Sequence, residues 1–257
     1  MTLNGKRGER TGASELDFLL EHTALRHRFD DRRLRHLTSP LSLRDYVRVA
    51  DRTARLVHGK HLLDWGCGYG QVSYLLSRRG LTVTSYEIGP AIEDKSVPVA
   101  IGLRAVRGDH PYELPLRECA FDAVVACGVL EHVDDVGRSL AELRRVLVPG
   151  GQLFIYNLPQ RYSYKEFMIK RLNLGFSHEH RYTRRTICAL LQRNGFDVLS
   201  VGRAGFLPHM VTGLPPIVRR LYYRAPSTLF AIDRLLSRVP GVNLVAQSLE
   251  VVAKSQK

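Results

Sequence analysis

Apolar positions along the chain recur with two different periods, and the switches between them lay out the elements. In residues 14–37, Phe18, Leu25 and Phe29 fall on one helical stripe, and after the Thr38-Ser39-Pro40 break a second helical pattern runs over 43–58. These predict an N-terminal helical cap, residues 1–58. From 61 to 157 short apolar runs alternate with helical ones, the arrangement that builds a parallel sheet with right-handed crossovers and a ligand crevice at the strands' carboxyl ends. Helices are predicted over 163–173 and 184–194, a strand over 196–204 and a final strand over 248–253. The expected fold is α/β and doubly wound, with its core at 59–204 and its last strand returning within 247–257. Between them, 205–246 form a basic amphipathic helical insertion, in which Leu229 to Arg238 makes a short helix.

One boundary in this pattern carries chemistry. Leu62-Leu63 lead to Asp64 at the carboxyl end of a buried strand, and Gly66, Gly68 and Gly70 at alternate positions let the backbone turn without side chains blocking a ligand. The helix after Gln71 points its amino terminus at that ligand. A dinucleotide site asks for G-x-G-x-x-G, and Gln71 stands where the last glycine would be, so the pattern favours a nucleoside without a pyrophosphate. Glu87, at the end of the apolar stretch 81–86, has the spacing of a carboxylate that accepts from both ribose hydroxyls. No G-K-[ST] follows the glycines, which excludes a Walker-type phosphate loop.

Further ordered blocks extend this reading: Gly108-Asp109 with Leu114-Pro115, the strand Phe121 to Cys127, Val129-Leu130-Glu131-His132-Val133, the run Leu143 to Leu153 with its Pro149-Gly150 turn, and Arg181-Tyr182-Thr183 with Gly195-Phe196. Together with Asp64 to Gly70 and Glu87 they resemble the class I S-adenosylmethionine-dependent methyltransferases, in particular the small-molecule and lipid branch of methyltransferase type 11. The likeness covers about residues 58–204. It departs at Trp65, which fills a usually aliphatic position, and between Asp109 and Leu114, one residue longer than usual. The resemblance implies a Rossmann-like, mostly parallel seven-stranded sheet whose last strand inserts antiparallel beside the sixth. It also implies S-adenosyl-L-methionine as cofactor, held by Asp64, Gly66, Gly68, Gly70, Glu87, Asp109 at the adenine amino group, and Cys127. As chemistry Cys127 reads as a small core residue, because Ala126 replaces the proline that precedes the nucleophilic cysteine of pyrimidine-carbon methyltransferases.

Composition narrows the setting. A chain of 257 residues with 44% apolar content can bury the core of one enzyme-sized domain. The four cysteines show no C-x-x-C pair, the N-terminus has no apolar signal core, and no run approaches a membrane span, so a cytoplasmic protein is expected. Charge is uneven: of the net +13, the segment 161–257 holds sixteen basic and five acidic side chains, whereas 61–160 is slightly acidic. A strongly basic substrate side favours an anionic acceptor. Aromatic and basic residues interleaved in the insertion suit peripheral contact with an anionic membrane at its inner face, or equally a pair of lid helices whose arginines face water.

The expected reaction is methyl transfer to a small-molecule, glycan or lipid-linked acceptor, most simply at oxygen. His132, at the mouth of the crevice, is the first general-base candidate, with capping or loop orientation as its plainer role. His178 and His180 follow on the substrate side, and of these His180 is paired with His132 as the expected catalytic set. No metal site is expected, since His178-x-His180 lacks a third ligand in the sequence. An RNA methyltransferase using the basic segment to bind phosphates is the alternative. A binding module that has kept the fold, and a nicotinamide dehydrogenase, are less favoured.

Overall fold

The computed structural model describes residues 15–19, 39–88, 105–172, 178–211 and 215–257. Of the N-terminal stripe, 15–19 are helical, Leu19 is buried and Phe18 stacks on Tyr74 at 4.5 Å between ring centroids. Leu25 and Phe29 lie outside the described residues. Helix α1 (Pro40–Leu56) starts three residues earlier than its apolar pattern suggests, because Ser39 caps it and Pro40 takes a first-turn position where a missing N–H costs nothing.

Alternation then proceeds as β1 (His61–Trp65), α2 (Gln71–Arg78), β2 (Thr82–Ile88), β3 (Ala105–Gly108), β4 (Phe121–Cys127), α3 (Val136–Val146), β5 (Leu147–Pro159), α4 (Tyr164–Leu172), α5 (Arg184–Arg193), β6 (Phe196–Ala204), α6 (Pro216–Tyr222), α7 (Pro226–Leu236) and β7 (Ser248–Ser255). The seven strands lie in the order β3-β2-β1-β4-β5-β7-β6. The first five run parallel, and β7 runs antiparallel between β5 and β6. Since β1 pairs with both β2 and β4, chain order reverses there, and a crevice opens at the carboxyl ends of those strands.

Successive side chains of a strand face opposite ways, so the buried runs of β1 and β4 feed two cores. Leu63, Val124 and Leu153 pack with Leu140 and Leu143 of α3 and Ile187 and Leu191 of α5. Leu62, Ala123, Val125 and Phe154 pack with Leu43 and Val49 of α1 and Leu75 and Leu76 of α2. Each fully buried leucine contributes about 2 kcal/mol by removal from water, and together they hold the loops at the crevice on a rigid base.

Two local features differ from the sequence reading. The Pro149-Gly150 turn does not separate helix from strand: Leu147 already pairs with Phe121, and pairing then jumps to Gln152 opposite Ala123, with Gly150 at φ 72°. The insertion is also tied down. Asp233 of α7 is buried and its carboxylate accepts from the backbone N–H groups of Phe206 and Leu207 at 2.6 and 2.5 Å. His209 offers its carbonyl to the hydroxyls of Ser39 and Tyr223, which fastens this segment to the start of α1. Among the described residues, no helix is long and apolar enough to cross a membrane.

Candidate active site

The glycine loop shapes the first cavity. Gly66, Gly68 and Gly70 all take positive φ, at 73°, 54° and 77°. A Cβ at Gly66 would press on the Val129 side chain, whereas one at Gly68 would meet nothing within 4 Å. The loop is pinned by the Tyr86 carbonyl, which accepts from the N–H groups of Gly66 and Cys67 at 2.9 Å. From the next strand Glu87 reaches across: its Oε2 accepts from the Gly68 N–H at 2.6 Å and its Oε1 from the Ile88 N–H at 3.1 Å. Two backbone donors therefore orient a carboxylate at the edge of the opening, as a ribose acceptor requires.

The cavity has a volume of about 400 Å³, and Asp64, Gly66, Gly68, Glu87, Cys127 and His132 are among the residues lining it. Asp64 is fully buried, and its Oδ2 accepts from the Ser73 hydroxyl at 2.6 Å, itself 2.7 Å from the Ser85 hydroxyl. Burial pushes this carboxyl up to about 7; the Ser73 hydrogen bond opposes that rise and the charge of Glu87 adds to it. A buried acid so poised suits a cationic ligand. Burial, with the negative charges of Asp45, Asp64 and Glu131, pushes the Cys127 thiol well above its ordinary range, which keeps it protonated and removes it as a nucleophile.

A second cavity of about 260 Å³ adjoins the first, and Tyr46 and Asn157 line both. Asn157 sits at φ 55° where the β5–β7 pairing is irregular between Ile155 and Leu158, a left-handed conformation that asparagine tolerates better than most residues. It donates to the Cys127 Sγ at 3.5 Å and lines the second cavity together with Asp45. The sequence marks this position only by the residue type.

Histidines bridge the two cavities. His132 lines the first and His178 the second, with ring centroids 5.6 Å apart. Burial and the charge of His178 hold His132 below the usual imidazole value, which favours its neutral form. His178 Nδ1 lies 2.9 Å from Oε1 of the buried Glu166, whose Oε2 accepts from the His178 backbone N–H at 3.1 Å. A carboxylate only accepts, so the imidazole proton sits on Nδ1 and Nε2 is the basic nitrogen.

Other expected residues fall elsewhere. His180 is exposed and lines neither cavity, whereas His178 lines the second. Asp109 is exposed and outside the lining of the first cavity; its block reaches the rim through Pro111 and through the Tyr86 hydroxyl, which donates to the His110 carbonyl at 2.6 Å. Gly70 acts as the N-cap position of α2, whose first residues Gln71 and Val72 line the cavity. Potential metal-ligating atoms come within 4.8 Å of one another in a different set from His178 and His180, namely Glu131, His132 and His178. Glu131 is buried, and burial pushes it up to about 7.

A doubly wound sheet with a glycine-lined nucleoside crevice and an acidic residue on each side of it defines a nucleoside-cofactor enzyme of the Rossmann-like class. The family model described as "Methyltransferase domain" matches residues 63–155. A ubiquinone biosynthesis O-methyltransferase of Pseudomonas aeruginosa is 31% identical over 176 residues, spanning 62% of this chain and 72% of that protein. One of Acinetobacter baumannii is 29% identical over 212 residues, spanning 75% and 81%. Among solved structures, a SAM-dependent methyltransferase of Thermotoga maritima, named as a possible histamine N-methyltransferase, superposes with a TM-score of 0.59 at 15% identity, covering 94% of this chain and all of that one. A SAM-dependent methyltransferase of Archaeoglobus fulgidus gives 0.54 at 17% identity, covering 82% and 94%. The chain belongs to the class I S-adenosylmethionine-dependent methyltransferases, and its cofactor is S-adenosylmethionine. The residues fit that cofactor: open space above Gly68, a fastened Glu87 for ribose hydroxyls and a buried Asp64 for positive charge.

Proposed function

We propose that this methyltransferase methylates an oxygen of a small anionic acceptor bound in the second cavity, with His178 as general base. The carrying observation is the His178–Glu166 pair in the wall of that cavity, close to His132 in the wall of the first. Bound cofactor supplies a methyl group already activated on a sulfonium. The protein must therefore place the acceptor oxygen in line, exclude water and take a proton. His178 Nε2 would take the proton of the acceptor hydroxyl as that oxygen is methylated. Glu166 stabilises the imidazolium that results. The names of the O-methyltransferase relatives support oxygen and a small molecule, and a volume of about 260 Å³ favours a small group over a polynucleotide.

The insertion supports a lipid-linked acceptor delivered from an anionic membrane. Ile217, Leu221 and Leu235 are 79%, 66% and 65% exposed on α6 and α7, and the exposed Arg219, Arg220, Arg224 and Arg238 accompany them. Apolar anchors among arginines match a headgroup boundary. The protein is expected to sediment with phosphatidylglycerol vesicles and much less with phosphatidylcholine vesicles. Leu221→Asp with Leu235→Asp should weaken that binding more than tenfold, since burying two leucines is worth roughly 3 kcal/mol. Equal sedimentation with both vesicle types would remove the membrane from this reading.

The reaction itself is tested with methyl-labelled cofactor and fractionated cell extract. Label should enter the lipid or small-molecule pool as an alkali-stable ether. Label in nitrogen or carbon overturns the oxygen assignment, and label confined to RNA overturns the acceptor class.

A further inference from the structure

Among the described residues that line the second cavity, Lys165 is the one lysine or arginine, and Glu166 beside it acts on its charge through space. Of the cavity's acidic residues, Asp45 is paired with Arg48 at 2.7 Å and Glu166 is hydrogen-bonded to His178 at 2.9 Å. His209 lies 3.6 Å from Asp233. Lys165 lines the same cavity and makes no ion pair or side-chain hydrogen bond among the described residues. Its position is also unusual for helix stability. It stands in the first turn of α4, where the helix dipole favours negative charge, the role that Glu166 beside it fills. A partly enclosed ammonium in that place is costly unless an anion completes it.

Resting on the acceptor reading above, the geometry points to Lys165 as the residue that selects the acceptor, by binding a carboxylate on the molecule whose hydroxyl faces His178. The charge count favours a monoanion. One carboxylate at Lys165 adds a single negative charge beside Asp45 and Glu166, whereas a phosphate dianion adds two. Dianionic phosphate is also commonly held by a planar guanidinium fork or several donors, and no arginine among the described residues lines this cavity. Ser42 and Ser163 add hydroxyls to the same lining, and the volume of about 260 Å³ is suited to a single ring or a short chain carrying the acid. The inferred acceptor class is thus a small hydroxylated carboxylic acid, or the acidic head of a larger lipid-linked one.

The test is calorimetric and needs no turnover. The full chain, saturated with S-adenosylhomocysteine, is titrated with benzoate, 3-hydroxybenzoate, the matching amides and inorganic phosphate, in the wild type, Lys165→Met and Lys165→Arg. The acids should bind about tenfold to a hundredfold more tightly than their amides, the range of a charge-assisted hydrogen bond. Lys165→Met should erase that difference, Lys165→Arg should keep most of it, and both should bind S-adenosylhomocysteine like the wild type, which shows that they fold. Acids and amides binding alike in the wild type, absence of acid binding, or unaltered acid affinity in Lys165→Met overturns the assignment. Phosphate outcompeting benzoate overturns the carboxylate in favour of a phosphorylated acceptor. Acid selectivity with label transferred to nitrogen keeps this subsite while removing the oxygen reading; label on oxygen without acid selectivity does the reverse.

Discussion

Asp64→Asn is expected to make the cofactor-free protein more stable near pH 8 while lowering its affinity for S-adenosylmethionine about a hundredfold. Both effects come from one buried carboxyl. In an unfolded chain Asp64 titrates near 3.8, and in the folded protein burial raises it to about 7. The folded state therefore holds the proton more firmly, so raising the pH from about 4 to 7 removes stability, and the whole cost is present above 7. The upper bound of that cost is about 4 kcal/mol, and with relaxation around the site about 1–3 kcal/mol is the expected gain on substitution. Asparagine keeps the shape and can still accept from the Ser73 hydroxyl. At pH 4 the two proteins should unfold alike.

Binding runs the other way. A cationic ligand favours the ionised Asp64, and losing that attraction costs about 2–3 kcal/mol, or roughly a hundredfold. Wild-type affinity should fall about tenfold per unit as the pH drops below about 7, because the acid must then lose a proton to receive the ligand. The variant should show a flat profile. Thermal unfolding at pH 4, 6 and 8, with calorimetric titration at the last two, checks every limb. Unaltered stability and affinity would place the positive end of the cofactor elsewhere.

That site was legible in the sequence because its parts are local. Asp64, the glycines and the start of α2 lie within one strand–loop–helix unit, and Glu87 ends the adjacent parallel strand, so spacing along the chain becomes spacing in the cavity. The acceptor side is assembled differently. Lys165 and Glu166 come from α4, Asp45 from α1, and Asn157 from an irregularity in β5. No period in the sequence links them. His180 was preferred to His178 in the catalytic set, yet only contact with Glu166, twelve residues earlier, separates the cavity residue from the exposed one. Glu131 joins His132 and His178 for the same reason. Asp109, where the sequence runs one residue longer than usual, stands outside the lining of the first cavity, and Pro111 reaches it.

His178→Ala should lower kcat by about 10²–10⁴, the range of general-base catalysis, while leaving cofactor affinity within about twofold. Glu166→Gln should cost less, about tenfold to a hundredfold, because the amide can still orient the ring but no longer stabilises the imidazolium. His132→Ala, in the wall of the cofactor cavity and half exposed, should fall between a small loss and that of Glu166→Gln if its part is to shape the passage between cavities. A merely structural histidine would move KM and thermal stability together with kcat. A base instead removes the acid limb of the pH–rate profile and leaves a variant that added imidazole partly rescues. Loss of cofactor binding in His178→Ala, or an unaltered pH profile, would remove the base assignment. So would a rate abolished by chelation and restored by a divalent cation, which would make Glu131, His132 and His178 ligands and hand the proton to a metal-bound group.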